Sequence, residues 1–511
     1  MKIKGFLKLL FSRLFAIALT VILQVVILVY YLSELSENYI YVQIISLIVG
    51  VIVFISMVNK NMHPEQKILW AFLIMAFPII GTVLYVLFNI NNPLKKKFIK
   101  YYELDIKNIS NVANNKQDVY ELSNGYESQF KYLEKMTGLN LNKDTNTKFL
   151  KDGKEFYDSL IADLKGAKKF IFMEYFIIHP GVMWDSILEV LKEKVKEGVE
   201  VRFIYDDIGS CKYVKGNYYK KLRKEGIKCY VFNKMIPLVS SYHNNRDHRK
   251  ITVIDGIIGY TGGINLSDEY MNLNSPYGHW QDNAIRLNGK GVDNLTVLFL
   301  QCYSLLSRKR NDIKPFLYEQ NKIENIENNE LVFSFGTGPK SVYYDFLAID
   351  VFLNMINNAK KSIDITTPYL LTDFSITNAL IAASAKGIKV RILFPGKPDK
   401  KLVWSFGKQT ALELTKHGIE VYSYTLGFNH AKSFLVDDQI AYVGTTNLDY
   451  RSLLHHYECG TIIYNSNTIN DIDDYFEKNY SKSKLLKEED LKVNPLTKVI
   501  ISFLRIFESL L

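Results

Sequence analysis

Two short stretches of the chain carry the residue types and spacing of a reaction centre. Residues 248–256 read HRKITVIDG and residues 430–438 read HAKSFLVDD. Both fit H-x-K-x-x-x-x-D, with His248, Lys250 and Asp255 in one copy and His430, Lys432 and Asp437 in the other. Side chains alternate faces along an extended strand, so each histidine points the same way as its lysine. After six intervening residues each copy continues into G-x-x-N, ending at Asn265 and Asn447. Lysine and amide donors suit the non-bridging oxygens of a phosphodiester, where they stabilise charge that builds up during displacement. A neutral imidazole can attack phosphorus and form a covalent phosphohistidine. A protonated one can give its proton to the leaving alkoxide and later take one from an incoming alcohol. The lysines already supply cationic charge, so neither a metal nor another cofactor is expected. His248 is read as the nucleophile and His430 as the acid.

Each imidazole needs a partner that fixes its tautomer. The candidates are Asp282 in HWQDNAI and Glu458 in HHYECG. Asp255 and Asp437 complete the catalytic motif, although capping of the strand ends suits them better. His455 and His456 lie close to Glu458 and are candidates to line the pocket, whereas His63, His179, His243, His279 and His417 read as packing or surface residues.

The elements that must position these groups are duplicated. LKGAKKFIFMEYFI (164–177) matches INNAKKSIDITTPYLL (356–371), KEGVEVRFIYDD (196–207) matches AKGIKVRILFPG (385–396), and LRKEGIKCYVF (222–232) matches LTKHGIEVYSY (414–424). Each unit alternates helical patterns with β-branched and aromatic runs, which argues for two similar α/β lobes with largely buried sheets. A pseudo-two-fold arrangement would bring both His-Lys pairs to one site. The expected organisation is an N-terminal membrane region (1–100), a polar connector (101–140), lobes at 141–320 and 321–490 joined near the polar stretch Asn311–Asn329, and a C-terminal amphipathic helix (491–511).

The N-terminal region is apolar enough to enter a bilayer. Spans are expected at 14–32 and 40–58, each about the length that crosses a membrane. Lys2, Lys4, Lys8 and Arg13 before the first, and Lys60 and Lys67 after the second, place the N-terminus and the lobes on the cytoplasmic side. A third run, 68–88, contains Pro78 and Gly81 and is read as re-entrant. The formal net charge of +10 favours anionic partners. The four cysteines form no C-x-x-C pair, which argues against a disulfide framework or structural zinc. The segment 495–511, PLTKVIISFLRIFESLL, is expected to dock at the interface beside the active-site mouth, with Lys498, Arg505 and Glu508 on its polar side.

With these motifs in view, the chain resembles the phospholipase D superfamily and, within it, the bacterial cardiolipin synthases. The resemblance rests on NRDHRKITVIDGIIGYTGGIN, HWQDNAIRLNG and HAKSFLVDDQIAYVGTTNLDYRS, and on the spacing of Trp70, Pro78, Gly81 and Tyr85. It implies a bilobed fold with one shared site, and the joining of two phosphatidylglycerol molecules into cardiolipin and glycerol through a phosphatidyl-histidine. His248, Lys250 and Asn265 match the first catalytic motif, and His430, Lys432 and Asn447 the second. Gly263 and Thr445 stand where many superfamily members carry Ser, and His456 where Asn is expected. A hydrolytic phospholipase D is the rival reading. A nuclease is disfavoured because no aromatic-basic stripe for stacking bases is evident, and a non-catalytic scaffold because both motifs are intact. Partners are therefore phosphatidylglycerol and anionic membrane lipid, with no nucleic acid.

Overall fold

The computed structural model describes residues 13–38, 40–89, 120–123, 125–235, 241–322, 326–339 and 346–508. The chain divides into two compact units, one comprising Met1–Lys96, Asn233–Asn245 and Asn494–Leu511, the other Lys97–Phe232 and Arg246–Val493.

The second unit contains both lobes. In lobe 1 the strands are β1 (Thr145–Leu150), β2 (Phe170–Tyr175), β3 (Glu200–Asp206), β4 (Lys228–Phe232), β5 (Lys250–Ile254), β6 (Ile258–Gly262), β7 (His279–Gln281) and β8 (Ala284–Gly289). Lobe 2 adds β9 (Leu331–Thr337), β10 (Ser362–Thr366), β11 (Lys389–Pro395), β12 (Glu420–Tyr424), β13 (Gly427–Asn429), β14 (Ser433–Val436), β15 (Ile440–Gly444), β16 (Glu458–Tyr464) and β17 (Ser483–Leu485). The first sheet has the order β1-β8-β6-β5-β2-β3-β4. Read from its β9 edge, the second has the order β9-β16-β15-β14-β10-β11-β12, with β17 added beyond β12. The two orders match strand for strand, so the sequence repeat is a structural one. Both sheets are mixed. The crossovers β2-β3-β4 and β10-β11-β12 are parallel, and the hairpins β5-β6 and β14-β15 are antiparallel.

Continuous apolar runs make the central strands. FIFMEY of β2 is buried at every position, as a strand covered on both faces requires. On one side it meets the helix Val292–Ser307, where the Phe172 and Phe299 rings stack at 4.8 Å. In lobe 2 the Phe352 and Phe434 rings stack at 4.4 Å, joining the helix Leu347–Asn358 to β14. Residues 101–119 of the expected connector lie outside the described residues. Its later part is a helix, Glu127–Thr137, with Phe130 and Leu133 fully buried. The polar stretch between the lobes is also tied down: Asn328 Nδ2 donates to the Thr145 carbonyl at 3.0 Å.

The first unit is helical. Helices run over Arg13–Asn38, Ile40–Val58, Pro64–Ala76, Pro78–Asn89 and Pro495–Arg505. The run 68–88 is thus two short helices. Pro78 disfavours helical backbone at Phe77, which sits at φ −137°, ψ 75°. The two pack closely: a Cβ on Gly81 would fall 2.2 Å from the Leu73 carbonyl oxygen, and Trp70 meets Tyr85 edge-on at 5.4 Å. No stretch of described side chains in any helix is long and apolar enough to cross a membrane. Several positions in Arg13–Asn38, and Val42 in the next helix, have side chains outside the described set. Leu19, Ile22, Leu23, Ile44, Ile48 and Ile55 are exposed. On Pro495–Arg505 the stripe Leu496, Val499, Ile500 and Phe503 is exposed too.

Candidate active site

Strand pairing between the lobes builds the site. β7 and β13 pair in parallel, with Trp280 opposite Phe428 and Gln281 opposite Asn429. One step further along, Asp282 lies opposite His430. The His430 N–H donates to the Gln281 carbonyl at 2.7 Å, and His430 Nδ1 lies 2.7 Å from Asp282 Oδ2. The other half repeats the device. Asp247 bridges to Tyr457 in parallel, the His248 N–H donates to the Tyr457 carbonyl at 2.9 Å, and His248 Nδ1 lies 2.9 Å from Glu458 Oε2. Each histidine is therefore oriented by a carboxylate from the opposite lobe. Glu458 is held ionised and only accepts, so His248 Nδ1 carries the ring proton and its Nε2 keeps the lone pair for chemistry. His430 likewise meets its carboxylate through Nδ1.

Lys250 Nζ donates to the His248 carbonyl at 2.5 Å. Lys432 Nζ donates to the His430 carbonyl and sits 2.8 Å from His430 Nδ1. Asn265 spends its amide within the protein, accepting from the Ile177 N–H at 3.0 Å and donating to the Tyr270 hydroxyl at 2.7 Å. Asn447 differs, since its buried amide oxygen has no partner among the described residues.

Asp255 and Asp437, grouped with the catalytic residues in the sequence motif, stand elsewhere. β5 pairs with β2 so that Lys250 lies opposite Tyr175 and Ile254 opposite Ile171, which puts Asp255 at the end remote from the histidine. Its carboxylate accepts from the backbone N–H groups of Lys168, Lys169 and Phe170, each at 2.8 Å. Asp437 does the same for Lys360, Lys361 and Ser362 at 2.8, 2.6 and 2.9 Å. Both hold the left-handed backbone of a hairpin turn, φ 53° and 55°. They fasten that turn to the repeated Ala-Lys-Lys junction, so their role is structural and the catalytic grouping is corrected.

Several neighbours escaped the sequence reading. Phe176 packs against His248 at 4.9 Å, while Trp280, Tyr270 and Phe428 surround His430 at 5.4, 5.6 and 5.7 Å. These aromatics follow no spacing rule tied to the motifs, so only the fold reveals them. His456 does line the site, with its ring 5.6 Å from His248 and its Nδ1 3.6 Å from Glu458 Oε1. His179 and His279 are engaged by Ser267 and Tyr424 at 3.1 and 2.9 Å. Thr445 donates its hydroxyl to Glu458. At the matching position in lobe 1, a Cβ on Gly263 would sit 2.0 Å from Asp282 Oδ1, so that carboxylate needs the glycine.

Burial dominates the electrostatics. It pushes His248 down to about 3, with Lys250 adding to the effect and Glu458 opposing it. Burial, followed by Lys432, Lys250 and His248, drives His430 well below its ordinary value. Lys250 and Lys432 are lowered by burial to about 8 and about 7. Burial opposes ionisation of Glu458 but is outweighed by His248 and His456, which hold it below the usual carboxylate range. Asp282 goes the other way, raised by burial to about 7 against Lys432 and the Asn283 N–H. Lys250 acts on Asp282, and Glu458 on Lys432, so the two halves share one electrostatic site.

Among the described residues, two sets of donor atoms converge enough to consider a metal: His248, His456 and Glu458, and Glu174, Asp247 and Cys302. The first set is occupied by histidine orientation. In the second, Arg249 already supplies the positive charge, 2.7 Å from Glu174 and 3.1 Å from Asp247. Neither set needs an ion to account for its geometry.

The geometry can be set beside known proteins. A family model described as "Cardiolipin synthase, PLD-like domain" matches residues 160–284 and 352–480, and one described as "Phospholipase_D-nuclease N-terminal" matches 47–88. A cardiolipin synthase of Halalkalibacterium halodurans is 32% identical over 426 residues, covering 82% of this chain and 83% of that one. Cardiolipin synthase 1 of Staphylococcus aureus is 32% identical over 447 residues, covering 84% and 88%. An uncharacterized protein of Streptococcus mutans is 35% identical over 455 residues, covering 87% and 96%. Among solved structures, the phosphatidylserine synthase of Haemophilus influenzae superposes with a TM-score of 0.57 at 15% identity, covering 76% of this chain and all of that one, a likeness of fold. Duplicated lobes, two His-Lys pairs meeting in one buried site, and relatives aligned over most of their length lead to one conclusion: the chain belongs to the cardiolipin synthase family of the phospholipase D superfamily and is a phosphatidyltransferase.

Proposed function

We propose that the chain is a cardiolipin synthase that transfers the phosphatidyl group of one phosphatidylglycerol to a hydroxyl of another, releasing glycerol. The observation that carries this is the reciprocal pair of histidine–carboxylate contacts, each made through Nδ1 across the lobes, so that Nε2 of either ring is left for the phosphodiester. His248, kept neutral by burial, attacks through Nε2. The phosphorus–oxygen bond to glycerol breaks, and the departing oxygen takes its proton from His430 Nε2. A bound phosphodiester anion beside His430 favours its protonated form, which supplies that proton. The acceptor hydroxyl then returns a proton to His430 and attacks phosphorus, and the phosphorus–nitrogen bond breaks. Lys250 and Lys432 balance charge on the non-bridging oxygens, and the Asn447 amide is free to meet the headgroup.

The same reading puts the chain on a bilayer with the lobes cytoplasmic. Helices of 26 and 19 residues suit spans, since about 20 residues cross the hydrocarbon core. The pair Pro64–Ala76 and Pro78–Asn89 suits a re-entrant hairpin, and the apolar stripe of Pro495–Arg505 an interfacial helix. Purified protein given phosphatidylglycerol vesicles should yield cardiolipin and glycerol in equal amounts. Phosphatidic acid as the only lipid product would overturn transfer in favour of hydrolysis.

A further inference from the structure

Three lysines on one turn of lobe 2 stand without an ion-pair partner among the described residues. Strand β11 ends at Pro395 and the chain continues Gly396-Lys397-Pro398-Asp399-Lys400-Lys401. This turn leaves the sheet at the end of β10 and β11 that faces the site, because Thr366 of β10 pairs with Ser433, next to Lys432. Lys400 Nζ lies 4.6 Å from the centre of the Tyr369 ring. Tyr369 is held from both sides. Its hydroxyl donates to Asp399 at 2.6 Å, and its carbonyl accepts from Thr367 Oγ1, which itself accepts from the Leu448 N–H at 3.1 Å. Leu448 directly follows Asn447, so the ring under Lys400 is anchored to the loop that carries a site amide. Lys397 is placed by its own N–H, which donates to the Gly427 carbonyl at 3.1 Å, at the start of the strand leading to His430. Among the described residues, no carboxylate lies within ion-pair distance of Lys397, Lys400 or Lys401. The matching stretch of lobe 1, Asp207-Ile208-Gly209-Ser210-Cys211-Lys212, has a lysine opposite Lys401 but none opposite Lys397 or Lys400.

Resting on the transfer reaction proposed above, we infer that this turn, with Lys400 at its centre, is a subsite for a second phosphodiester anion, the acceptor lipid's own phosphate. In-line displacement places the leaving and incoming oxygens opposite His248, on the His430 side. An acceptor phosphatidylglycerol carries its phosphate three carbons from the reacting hydroxyl, which puts that anion outward from His430. The lysine turn follows β11, which pairs with β10 at the end where Thr366 meets Ser433, beside Lys432. The donor phosphate is already served by Lys250 and Lys432, so a further set of unpaired cations fits a second anion. The Lys400 charge is felt at the His430 imidazole, after burial and the nearer Lys432, Lys250 and His248.

Reversibility supplies the test. Full-length protein in phosphatidylglycerol vesicles is assayed for two reactions, cardiolipin formation and exchange of radiolabelled glycerol into phosphatidylglycerol. Both use the same donor half-reaction, but free glycerol carries no phosphate. Lys400→Ala, and more strongly the triple Lys397→Ala/Lys400→Ala/Lys401→Ala variant, should lower the ratio of cardiolipin formation to exchange by about ten-fold or more, as loss of a charge-assisted contact implies. Lys400→Arg should recover most of the ratio. With sn-glycerol 3-phosphate as a soluble acceptor, the wild type should prefer it to glycerol and Lys400→Ala should not. This arm tells a headgroup effect from one of the lipid tails. An unchanged ratio, or a wild type indifferent to the acceptor's phosphate, overturns the subsite while leaving the transfer reaction standing. A wild type that performs neither cardiolipin formation nor exchange removes the reading beneath it.

Discussion

The two halves share their strand order but hold their histidines in different ways. His248 lies in Arg246-Asp247-His248-Arg249-Lys250, and His430 in Phe428-Asn429-His430-Ala431-Lys432. In lobe 1 the flanking arginines are fully buried in ion pairs, Arg246 with Asp206 at 2.8 Å and Arg249 with Glu174 and Asp247. In lobe 2 the flanks are an aromatic ring and a methyl group, and further rings close the cage. The carboxylates diverge in the same sense. Glu458, held by Thr445 and His456 as well as His248, stays ionised, whereas Asp282 titrates near neutrality. A permanently charged partner on a rigid ionic frame suits an imidazole that must attack. A partner that titrates near the working pH suits one that passes a proton back and forth. Duplication supplied two equal sites, and the differences sit where the proposed roles differ.

The sharpest way to break this comparison is to remove each histidine. His248→Ala should abolish transfer and the covalent lipid–protein adduct together. His430→Ala should slow transfer by about 10²–10⁴-fold, the usual worth of general acid–base catalysis. It should still form the adduct from a substrate with a nitrophenolate leaving group, which needs no proton. Adduct formation by His248→Ala and not by His430→Ala would reverse the assignment.

Next in size are the frames. Arg249→Ala leaves Glu174 and Asp247 buried without their cation, and loss of one partner of a buried pair costs about 3–5 kcal/mol. Urea unfolding should show this, while Ala431→Ser at the matching position of lobe 2 should cost far less. Smaller effects are expected beside the carboxylates. Thr445→Val removes a hydrogen bond to a charged group, worth about 1.5–3 kcal/mol. Gly263→Ala places a methyl group against Asp282 and should lower kcat by displacing His430.

The most diagnostic test is the dependence on pH, because the two carboxylates should respond with opposite sign. Asp282 moves from its ordinary 3.8 to about 7 on folding, so the folded state holds a proton that the unfolded chain has lost. Its contribution to stability therefore falls as pH rises from about 4 to 7. Glu458 is depressed below its ordinary 4.5, so it contributes stability above that value and loses it as pH falls further. Plots of Tm against pH should flatten between pH 4 and 7 in Asp282→Asn, and at the acid end in Glu458→Gln. The same change in both variants would remove the asymmetry.

Much of this was legible beforehand, for physical reasons that can be named. Buried parallel strands need continuous apolar runs, so the repeats at 167–177 and 359–371 announced β2 and β10. The histidines, the lysines and both orienting carboxylates were readable from residue type and spacing. What the chain conceals is which carboxylate serves which histidine. That is decided by the pairing of β7 with β13 and of Asp247 with Tyr457, contacts between residues 148 and 210 positions apart at their histidines. Capping suited the motif aspartates better from the outset, but what they fasten is hidden for a related reason. Their carboxylates satisfy three backbone N–H groups some 80 residues away, and a motif written along one strand cannot display that.

The exchange of orienting carboxylates has a consequence for the halves as separable pieces. Neither lobe owns a complete acid–base pair, so a half-chain expressed alone would present an imidazole free to adopt the wrong tautomer. Two inactive halves mixed together could regain turnover only by docking in the native register. Two crippled full-length chains, one lacking His248 and the other His430, would not rescue each other without trading lobes. The fusion of the repeats into one polypeptide thus guarantees stoichiometry, one lender for every borrower, at a site where a missing half means no reaction at all.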